Sequence, residues 1–416
     1  MTAPLDHQTL EQNFVKPNIL KQERTKAGRR LKLIQEELRK RFLKLKEESG
    51  SHSPSTSTIL ESIPELTIDV DACFLSNPLA TDLFLEFLRE ELLETGKLRD
   101  VLEFYPAQNV EISKHLSPYL DVPKDMVFIG NGAVEIIQAF LHNFTEKSIL
   151  INIPTFSSYY EFVRPDTRTI FHQLDKSKDF RLDQKDFVDV VKKEKPDTVV
   201  LINPNNPDGG YLTIDKLSSL ISELKSVKNI VVDESFIHFA YEDDSLDLHS
   251  LAPLTKKFEN LTIIKSMSKD FGIAGIRAGY AVMHPTKVTK LLKNGYLWNS
   301  SGLAEYFFKL YAREDFLKRY EKVRRKYIRD TQFFFAELLE IPNIKIYPSK
   351  ANFALIEILN GRTATDLVMD LLFNHGIYVR TCSDKIGLEK GEFIRLASRS
   401  EKENRKTASA LKQCLL

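Results

Sequence analysis

Cysteine is scarce in this sequence of 416 residues. The three cysteines are Cys73, Cys382 and Cys414, which lie far apart and form no Cys-x-x-Cys spacing. This distribution excludes a disulfide framework and a cysteine-based zinc cluster, because both need several thiols at suitable spacings. We therefore predict no metal site and a reducing, cytoplasmic setting.

The sequence also lacks an excess of charge of one sign and lacks long apolar runs. The formal net charge is +1, so the protein as a whole is not built to coat nucleic acid or an anionic membrane. No apolar run approaches the ~20 residues that span a bilayer. The first residues lack the basic and apolar regions of a signal peptide. We expect a protein that is not secreted, with no DNA or membrane partner implied.

Residues 1–58 differ from the rest of the chain. Between Lys21 and Lys46 there are eleven Lys and Arg against three Glu, and apolar residues recur every three or four positions. This pattern predicts a basic amphipathic helix, followed by a Ser/Thr-rich linker at 51–58. The helix either lies on the body or partner subunit, or binds an unknown membrane surface, nucleic acid or protein. The spacing of the apolar residues does not distinguish between these two roles.

Beyond the linker, the pattern is typical of an α/β protein with two domains. Hydrophobic residues make up 42% of the chain, enough for one large core and a smaller one. Short apolar runs alternate with helical patterns, which predicts a mostly parallel sheet covered by helices. We predict a large domain at 59–310, of which 59–110 contributes partly to the small domain and to dimer contacts. The small C-terminal domain is predicted at 311–416.

One lysine stands in a distinctive setting. Lys269 lies in the string Ser266-Met-Ser-Lys269-Asp-Phe-Gly-Ile-Ala-Gly275-Ile-Arg277-Ala-Gly-Tyr280, directly after an apolar strand pattern. The string places an amine, two hydroxyls and a guanidinium beside turn-forming glycines. Such groups suit a cofactor that carries both an aldehyde and a phosphate.

This string resembles the lysine signature of class I and II aminotransferases of pyridoxal phosphate (PLP) fold type I. The resemblance implies a large PLP-binding domain, a small C-terminal α/β domain and a homodimer with shared active sites. It also implies that Lys269 forms the Schiff base with PLP, and that Ser266, Ser268 and Arg277 bind the cofactor phosphate.

A second string places a helix start after a strand. Gly130-Asn-Gly132-Ala133-Val134 opens an apolar helix pattern, and the free N–H groups at such a start bind phosphate well. By the resemblance, Gly132, Ala133 and Val134 contact the cofactor phosphate. The string Ile153-Pro-Thr-Phe156-Ser-Ser-Tyr159 resembles a segment of the family whose aromatic ring stacks on the pyridine ring of the cofactor. We assign this stacking ring to Phe156.

Two further strings bear on the pyridine ring of the cofactor. Asn203-Pro-Asn-Asn206-Pro207-Asp208-Gly209 matches the family's Asn-Pro-Asn-Asn-Pro-Thr-Gly apart from Asp208, so Asn206 is expected to bind the phenolic oxygen. Asp233 ends an apolar strand pattern, where an unpaired carboxylate is costly. A pyridinium N–H is the partner expected for it. Phe236 stands where many aminotransferases have a tyrosine.

The substrate residues come from the C-terminal part and from two early motifs. Arg395 lies on an apolar strand pattern and suits bidentate binding of a carboxylate. The resemblance assigns it to the substrate α-carboxylate. Arg380 offers a second guanidinium, for a phosphate or phosphonate group. Asn77 and Tyr105 match elements of the histidinol-phosphate aminotransferase and threonine-phosphate decarboxylase branch. There Tyr105 reaches the neighbouring subunit's cofactor, and Asn77 is predicted to contact substrate.

Two reactions remain open at this point. We predict an aminotransferase, the commonest activity among the proteins that the sequence resembles, acting on an amino acid or amine. The alternative is a PLP-dependent decarboxylase of an amino-acid O-phosphate, which Phe236 and the C-terminal motifs favour. A non-catalytic protein that acts through its basic helix is disfavoured, because Lys269, Asp233 and Arg395 are all present.

Overall fold

The computed structural model describes residues 36–50, 52–296 and 300–416. The chain divides into two compact units, with the boundary between Thr67 and Ile68. The predicted division near residue 311 lies inside the second unit and stays a prediction. No helix in the described ranges is long and apolar enough to cross a bilayer.

The first unit contains two described helices, α1 at residues 36–48 and α2 at Thr56–Ser62. The predicted basic helix from Lys21 onward lies outside the described residues up to position 35. The predicted linker at 51–58 ends early, because Ser55 caps α2 by accepting a hydrogen bond from Thr58 N at 3.1 Å. Serine and threonine favour helix starts as well as linkers, which explains the difference.

The second unit contains the remaining elements. Its helices are α3 (Pro78–Leu88), α4 (Leu98–Glu103), α5 (Asn109–Leu116), α6 (Ala133–Phe144), α7 (Ser158–Glu161), α8 (Gln184–Glu194), α9 (Ile214–Glu223), α10 (Pro285–Lys293), α11 (Gly302–Tyr311), α12 (Glu314–Leu339), α13 (Ala364–His375) and α14 (Glu401–Leu415). A π-helical turn, Arg89–Leu93, extends α3. Its strands are β1 (Val70–Asp71), β2 (Val127–Asn131), β3 (Ser148–Ile153), β4 (Arg168–Gln173), β5 (Thr198–Ile202), β6 (Asn229–Asp233), β7 (Leu261–Ser266), β8 (Ala278–Val282), β9 (Ile344–Ile346), β10 (Phe353–Ile358), β11 (Ile377–Tyr378), β12 (Arg380–Thr381) and β13 (Phe393–Ala397).

A seven-stranded sheet forms the centre of this unit, in the order β2-β8-β7-β6-β5-β3-β4. Five strands, β4, β3, β5, β6 and β7, run parallel, while β8 is antiparallel to both of its neighbours. Adjacent residues such as Val199 and Val200 belong to different core clusters. Because neighbouring side chains point to opposite faces of a strand, helices cover both sides of the sheet. The predicted fold is confirmed.

The C-terminal part builds a second, antiparallel sheet in the order β12-β13-β10-β9. Its apolar face packs against α12, α13 and α14 around residues such as Phe334, Leu371 and Leu411. The earlier strand β1 pairs in parallel with β11, through Val70 and Ile377. A segment that precedes the large sheet in sequence is therefore part of the C-terminal layer.

Candidate active site

The predicted site residues follow the carboxyl ends of adjacent parallel strands. Asp233 is the last residue of β6, and Ser266 is the last residue of β7. Asn206 follows β5, which pairs with β6, and Phe156 follows β3, which pairs with β5. Ligands of parallel α/β sheets bind outside this edge. The fold thus brings side chains that are distant in sequence to one edge of the sheet.

Lys269 lies on a loop that is held from one side by the start of α3. The backbone N–H of Asn77 donates to Lys269 O at 2.8 Å. Burial, helped by the Arg395 and Arg277 guanidiniums, lowers the pKa of Lys269 to about 8, while Asp270 opposes that shift. A lysine amine with a lowered pKa is more often neutral near pH 7, so it can act as a nucleophile or a base.

Asp233 is buried and held by two hydrogen-bond donors. Its Oδ2 accepts from the Tyr159 hydroxyl at 2.8 Å, and its Oδ1 accepts from Ser235 N at 2.8 Å. Burial raises the pKa of Asp233, and the bonds from Ser235 and Tyr159 oppose that rise. A buried carboxylate of this kind gains from a cationic N–H partner, which a pyridinium ring would provide.

A cradle for an anion lies at the start of α6. Gly132 is the residue before the helix, it has φ +80°, and as a glycine it places no capping side chain over the free N–H groups. Arg277 donates from Nη2 to Asn131 O at 3.3 Å, and a Cβ on Gly132 would lie 2.4 Å from that Nη2. A side chain at position 132 would displace the guanidinium and would be strained at this positive φ. Ala133 and Val134 are the first residues of the helix.

The two serines of the lysine string are buried beside this loop. Ser266 Oγ accepts from Ser268 N at 3.2 Å, which closes a tight turn directly before Lys269. Their roles toward a phosphate stay predictions.

Arg395 connects the C-terminal sheet to this edge. Its Nη1 donates to Asn206 Oδ1 at 2.8 Å and its Nη2 donates to Cys73 O at 2.8 Å. Its Nε is buried and has no hydrogen-bond partner within the described residues. Burial lowers the pKa of Arg395. A guanidinium with an unused buried donor is suited to an anionic ligand.

Arg380 lies directly opposite Arg395 in the antiparallel β12–β13 pair. Residues opposite each other in such a pair carry their side chains on the same face. Arg380 is buried, and its Nη2 bonds to Asp384 Oδ2 at 3.0 Å. The second guanidinium is therefore near the first.

The remaining predicted residues differ in exposure. Phe156 is partly buried against the core cluster on one face of the large sheet. Tyr105 is 92% exposed, and its role at a neighbouring subunit's cofactor stays a prediction. Asn77 is buried, and its amide oxygen caps α3 through Leu79 N and Ala80 N. Its role toward substrate stays a prediction.

Three residues of the site region were not singled out from the sequence. Tyr159 lies in the quoted string with Phe156, but its bond to Asp233 joins residues 74 positions apart. Lys265 and Asp270 form a buried ion pair on either side of Lys269. A charged residue in an otherwise apolar strand run was the available signal for Lys265.

Taken together, the donor set fits pyridoxal phosphate. Gly132 lets the Arg277 guanidinium lie against the start of α6, so that the guanidinium and the free N–H groups of the helix can bind one phosphate, and Asp233 supplies a buried carboxylate for a ring N–H. Lys269 supplies an amine for the aldehyde. These groups therefore suit the three functional parts of the cofactor, which are its phosphate, its ring nitrogen and its aldehyde.

Comparisons with known proteins agree with this chemistry. The family model for aminotransferase class I and II matches residues 76–411. The chain is 58% identical over 360 residues to the L-serine phosphate decarboxylase of Campylobacter jejuni, covering 86% of this chain and 92% of the relative. It is 46% identical over 376 residues to that of Sulfurospirillum multivorans, covering 90% and 96%. A solved structure of a decarboxylase from Sulfurospirillum multivorans superposes with a TM-score of 0.88 at 45% identity, covering 91% and 96%.

These relatives contradict the prediction of an aminotransferase and favour the decarboxylase alternative. The lysine, the carboxylate and the phosphate cradle serve both reactions, because each needs the same electron sink. The bond that breaks depends on how the substrate is aligned with the cofactor, which the motifs do not encode. The frequency of aminotransferases among similar proteins was therefore a poor guide.

Proposed function

The chain belongs to the class I and II aminotransferase family, and on that premise we propose that it decarboxylates L-serine O-phosphate. Family membership confirms the predicted cofactor, pyridoxal phosphate. The two L-serine phosphate decarboxylases, which match along most of their length, support the reaction. The observation within the structure that carries the proposal is the pairing of Arg380 with Arg395.

The two arginines suit a substrate with two anionic groups. Arg395 is proposed to bind the α-carboxylate and Arg380 the phosphate. Burial and then the charge of Arg380 lower the pKa of Lys385, five residues further along the chain, so a third cation lies in the same field. Asp384 offsets one of these three cations through its ion pair with Arg380, and the substrate carboxylate offsets a second. An unphosphorylated amino acid would therefore leave one positive charge without an anion, which costs binding energy.

The chain's own residues divide the work of decarboxylation. Arg395 orients the carboxylate, and Asp233 holds the ring nitrogen in its protonated form. Pyridoxal phosphate, held by these residues, would supply an electron sink for the pair of the broken Cα–carboxylate bond. Lys269, in its ammonium form, supplies the proton that replaces CO₂ at Cα, a role that its pKa of about 8 permits near neutrality. The products are CO₂ and ethanolamine phosphate.

Product analysis tests this function directly. The cofactor-loaded protein is incubated with L-serine O-phosphate, and CO₂ release and the cofactor spectrum are followed together. We expect one CO₂ for each substrate consumed and an unchanged cofactor. Conversion of the cofactor to its amine form without CO₂, or turnover that depends on an added keto acid, would contradict decarboxylation.

Substitution of Arg380 tests the phosphate contact. Arg380→Ala is expected to raise KM for L-serine O-phosphate about a hundredfold, or ~2.7 kcal/mol, and to leave the slow reaction of L-serine nearly unchanged. Arg362→Ala is a matched control, because this arginine binds Cys414 O and Asp370 elsewhere in the C-terminal part. Equal losses on both substrates would remove Arg380 from the phosphate site.

We also propose a homodimer in which each active site takes Tyr105 from the partner subunit. Tyr105 is 92% exposed, and its neighbours Leu102 and Phe104 are 68% and 64% exposed. An exposed apolar strip of this kind favours a protein contact. The cytoplasmic location and the partner of the N-terminal basic helix stay predictions.

A further inference from the structure

A buried ion pair spans the residue that is expected to carry the cofactor. Lys265, on β7, donates from Nζ to Asp270 Oδ2 and to Ser266 O, the latter at 3.1 Å. Lys265 is 1% exposed and Asp270 is 0% exposed. The pair thereby joins the strand that precedes Lys269 to the residue that follows it.

The rings around the pair are aromatic, and the Lys265 charge also acts on two buried carboxylates, Asp233 and Glu234, whose pKa values burial raises and Lys265 lowers. His238 Nδ1 lies 3.7 Å from Asp270 Oδ2 and bonds to the Tyr320 hydroxyl at 2.9 Å. Burial holds the pKa of His238 well below its usual value, so this ring is neutral. Asp270 Oδ1 makes no hydrogen bond within the described part of the chain. Phe271 stacks on Tyr320 with 4.1 Å between ring centroids.

Such a pair is a poor way to stabilise a fold. Removing two charges from water costs about as much as their attraction returns, and apolar residues of similar size often serve as well or better. A half-satisfied carboxylate costs more still, because Oδ1 loses its water without replacement. The position of the pair across Lys269, rather than its energy, is therefore the informative feature.

The loop also has a second attachment. Asn77 Nδ2 donates to Asp270 O at 3.3 Å, and Thr81 Oγ1 donates to Gly272 O at 2.8 Å. The α3 contacts thus fix the backbone of residues 269–272. The ion pair adds a different element, since it fixes the Asp270 side chain, whose negative charge acts on the Lys269 amine.

We propose that Lys265 and Asp270 form a positioning pair that orients the Lys269 side chain and balances the cations around its amine. The charged groups that act on that amine are Arg395, Arg277 and Asp270. Asp270 is the anion among them, so its carboxylate favours the protonated state of the Lys269 nitrogen. The proposal depends on Lys269 as the cofactor lysine and does not depend on which substrate bond is cleaved.

The test replaces the charges and follows the cofactor spectrum. In the cofactor-loaded protein, the ratio of the two visible absorbance bands is measured against pH. Asp270→Asn keeps an acceptor for Lys265 and removes the negative charge. The spectral midpoint, which is the pH at which the band ratio is halfway through its change, should therefore fall by about 0.5 to 1 pH unit.

The double variant Lys265→Met/Asp270→Leu should also lower the spectral midpoint and should lower kcat about tenfold, with its thermal unfolding midpoint close to that of the wild type. The matched control, Arg362→Met/Asp370→Leu, removes an ion pair of the C-terminal part and should leave both readouts unchanged.

Each outcome decides the proposal. An unchanged spectral midpoint in Asp270→Asn would overturn it, whether or not the double variant folds. A double variant that loses stability but keeps the spectral midpoint would show that the pair is only structural. The decarboxylase proposal is judged separately by CO₂ release, so a protein that transaminates could still show the predicted spectral shift.

Discussion

At the scale of single residues, the site is characterised by buried charged groups that lack a full set of partners of opposite charge. Burial is the largest cause of the lowered pKa of Lys269. The guanidiniums of Arg395 and Arg277 add to it, and the Asp270 carboxylate opposes it. Asp233 is buried and accepts from two neutral donors, and no cation in the described part of the chain bonds to it. An electron-poor ring carrying a phosphate and a protonated nitrogen supplies the opposite charge at each point.

The lowered pKa of Lys269 predicts the pH dependence of cofactor attachment. Only the neutral amine attacks the aldehyde, so the rate at which apoprotein combines with pyridoxal phosphate should rise with pH and level off above about 8. For Nα-acetyl-lysine, whose side-chain amine is free, the rate of reaction with pyridoxal phosphate should level off only near the ordinary pKa of a lysine amine, about 10.4. Stopped-flow absorbance gives both curves, and a common midpoint would contradict the assigned environment of Lys269.

Asp233 and Tyr159 are expected to differ in importance. Asp233→Asn removes the charge that keeps the ring nitrogen protonated, and kcat should fall at least about a hundredfold, or ~2.7 kcal/mol. Tyr159→Phe removes one donor to this carboxylate and leaves Ser235 N, so a loss of about tenfold or less is expected. Steady-state rates measure both effects. If Tyr159→Phe lowered kcat more than Asp233→Asn did, Asp233 would not be the more important of the two residues.

A sequence motif identifies functional residues that are neighbours along the chain. It says little about residues that come into contact only after folding. Lys269 was recognised because Ser266 and Arg277 stand in the same string. The contact between Asn77 and Asp270 spans 193 residues, and nothing in either local pattern points to the other. The reaction was misjudged for a related reason, since bond selection depends on the orientation of substrate in the assembled site.

At the scale of elements, prediction succeeded where short apolar runs are buried along their whole length. These runs predicted the parallel sheet, and every residue of β3, β5, β6 and β7 is buried. A continuous apolar run in a short strand reports burial directly. The short helix α2 was missed because Ser and Thr serve both as caps and as linker residues.

The start of α6 offers a test with a matched control. Gly132→Ala would place a Cβ 2.4 Å from Arg277 Nη2 at a φ of +80°, whereas Gly275 has nothing within 4 Å of the equivalent position. We expect Gly132→Ala to weaken pyridoxal phosphate binding about tenfold or more, through ~1–2 kcal/mol of backbone strain and a displaced guanidinium. Gly275→Ala should bind the cofactor normally. Equilibrium dialysis or fluorescence titration compares them, and equal affinities would contradict a phosphate cradle at this helix start.

At the scale of the whole molecule, the proposed homodimer with shared active sites predicts complementation between subunits. Lys269→Ala and Tyr105→Ala proteins should each have little activity. In mixed dimers, one of the two sites has both its lysine and its partner's tyrosine intact. After denaturation and refolding together, the mixture should recover about a quarter of wild-type activity, as random pairing of a symmetric dimer requires. A mixture no more active than its parents would contradict the exchange of Tyr105.

The pairing of β1 with β11 also has a consequence for synthesis on the ribosome. Val70 and Asp71 find their strand partners at Ile377 and Tyr378, and Ala397 N donates to Ala72 O at 2.9 Å. Domains generally fold in the order in which they are translated. The segment around β1 must wait, unpaired and apolar, until nearly the whole chain has emerged. Chains that stall or are truncated before residue 377 therefore expose this segment, and they are the species on which a cell's chaperones and proteases would act.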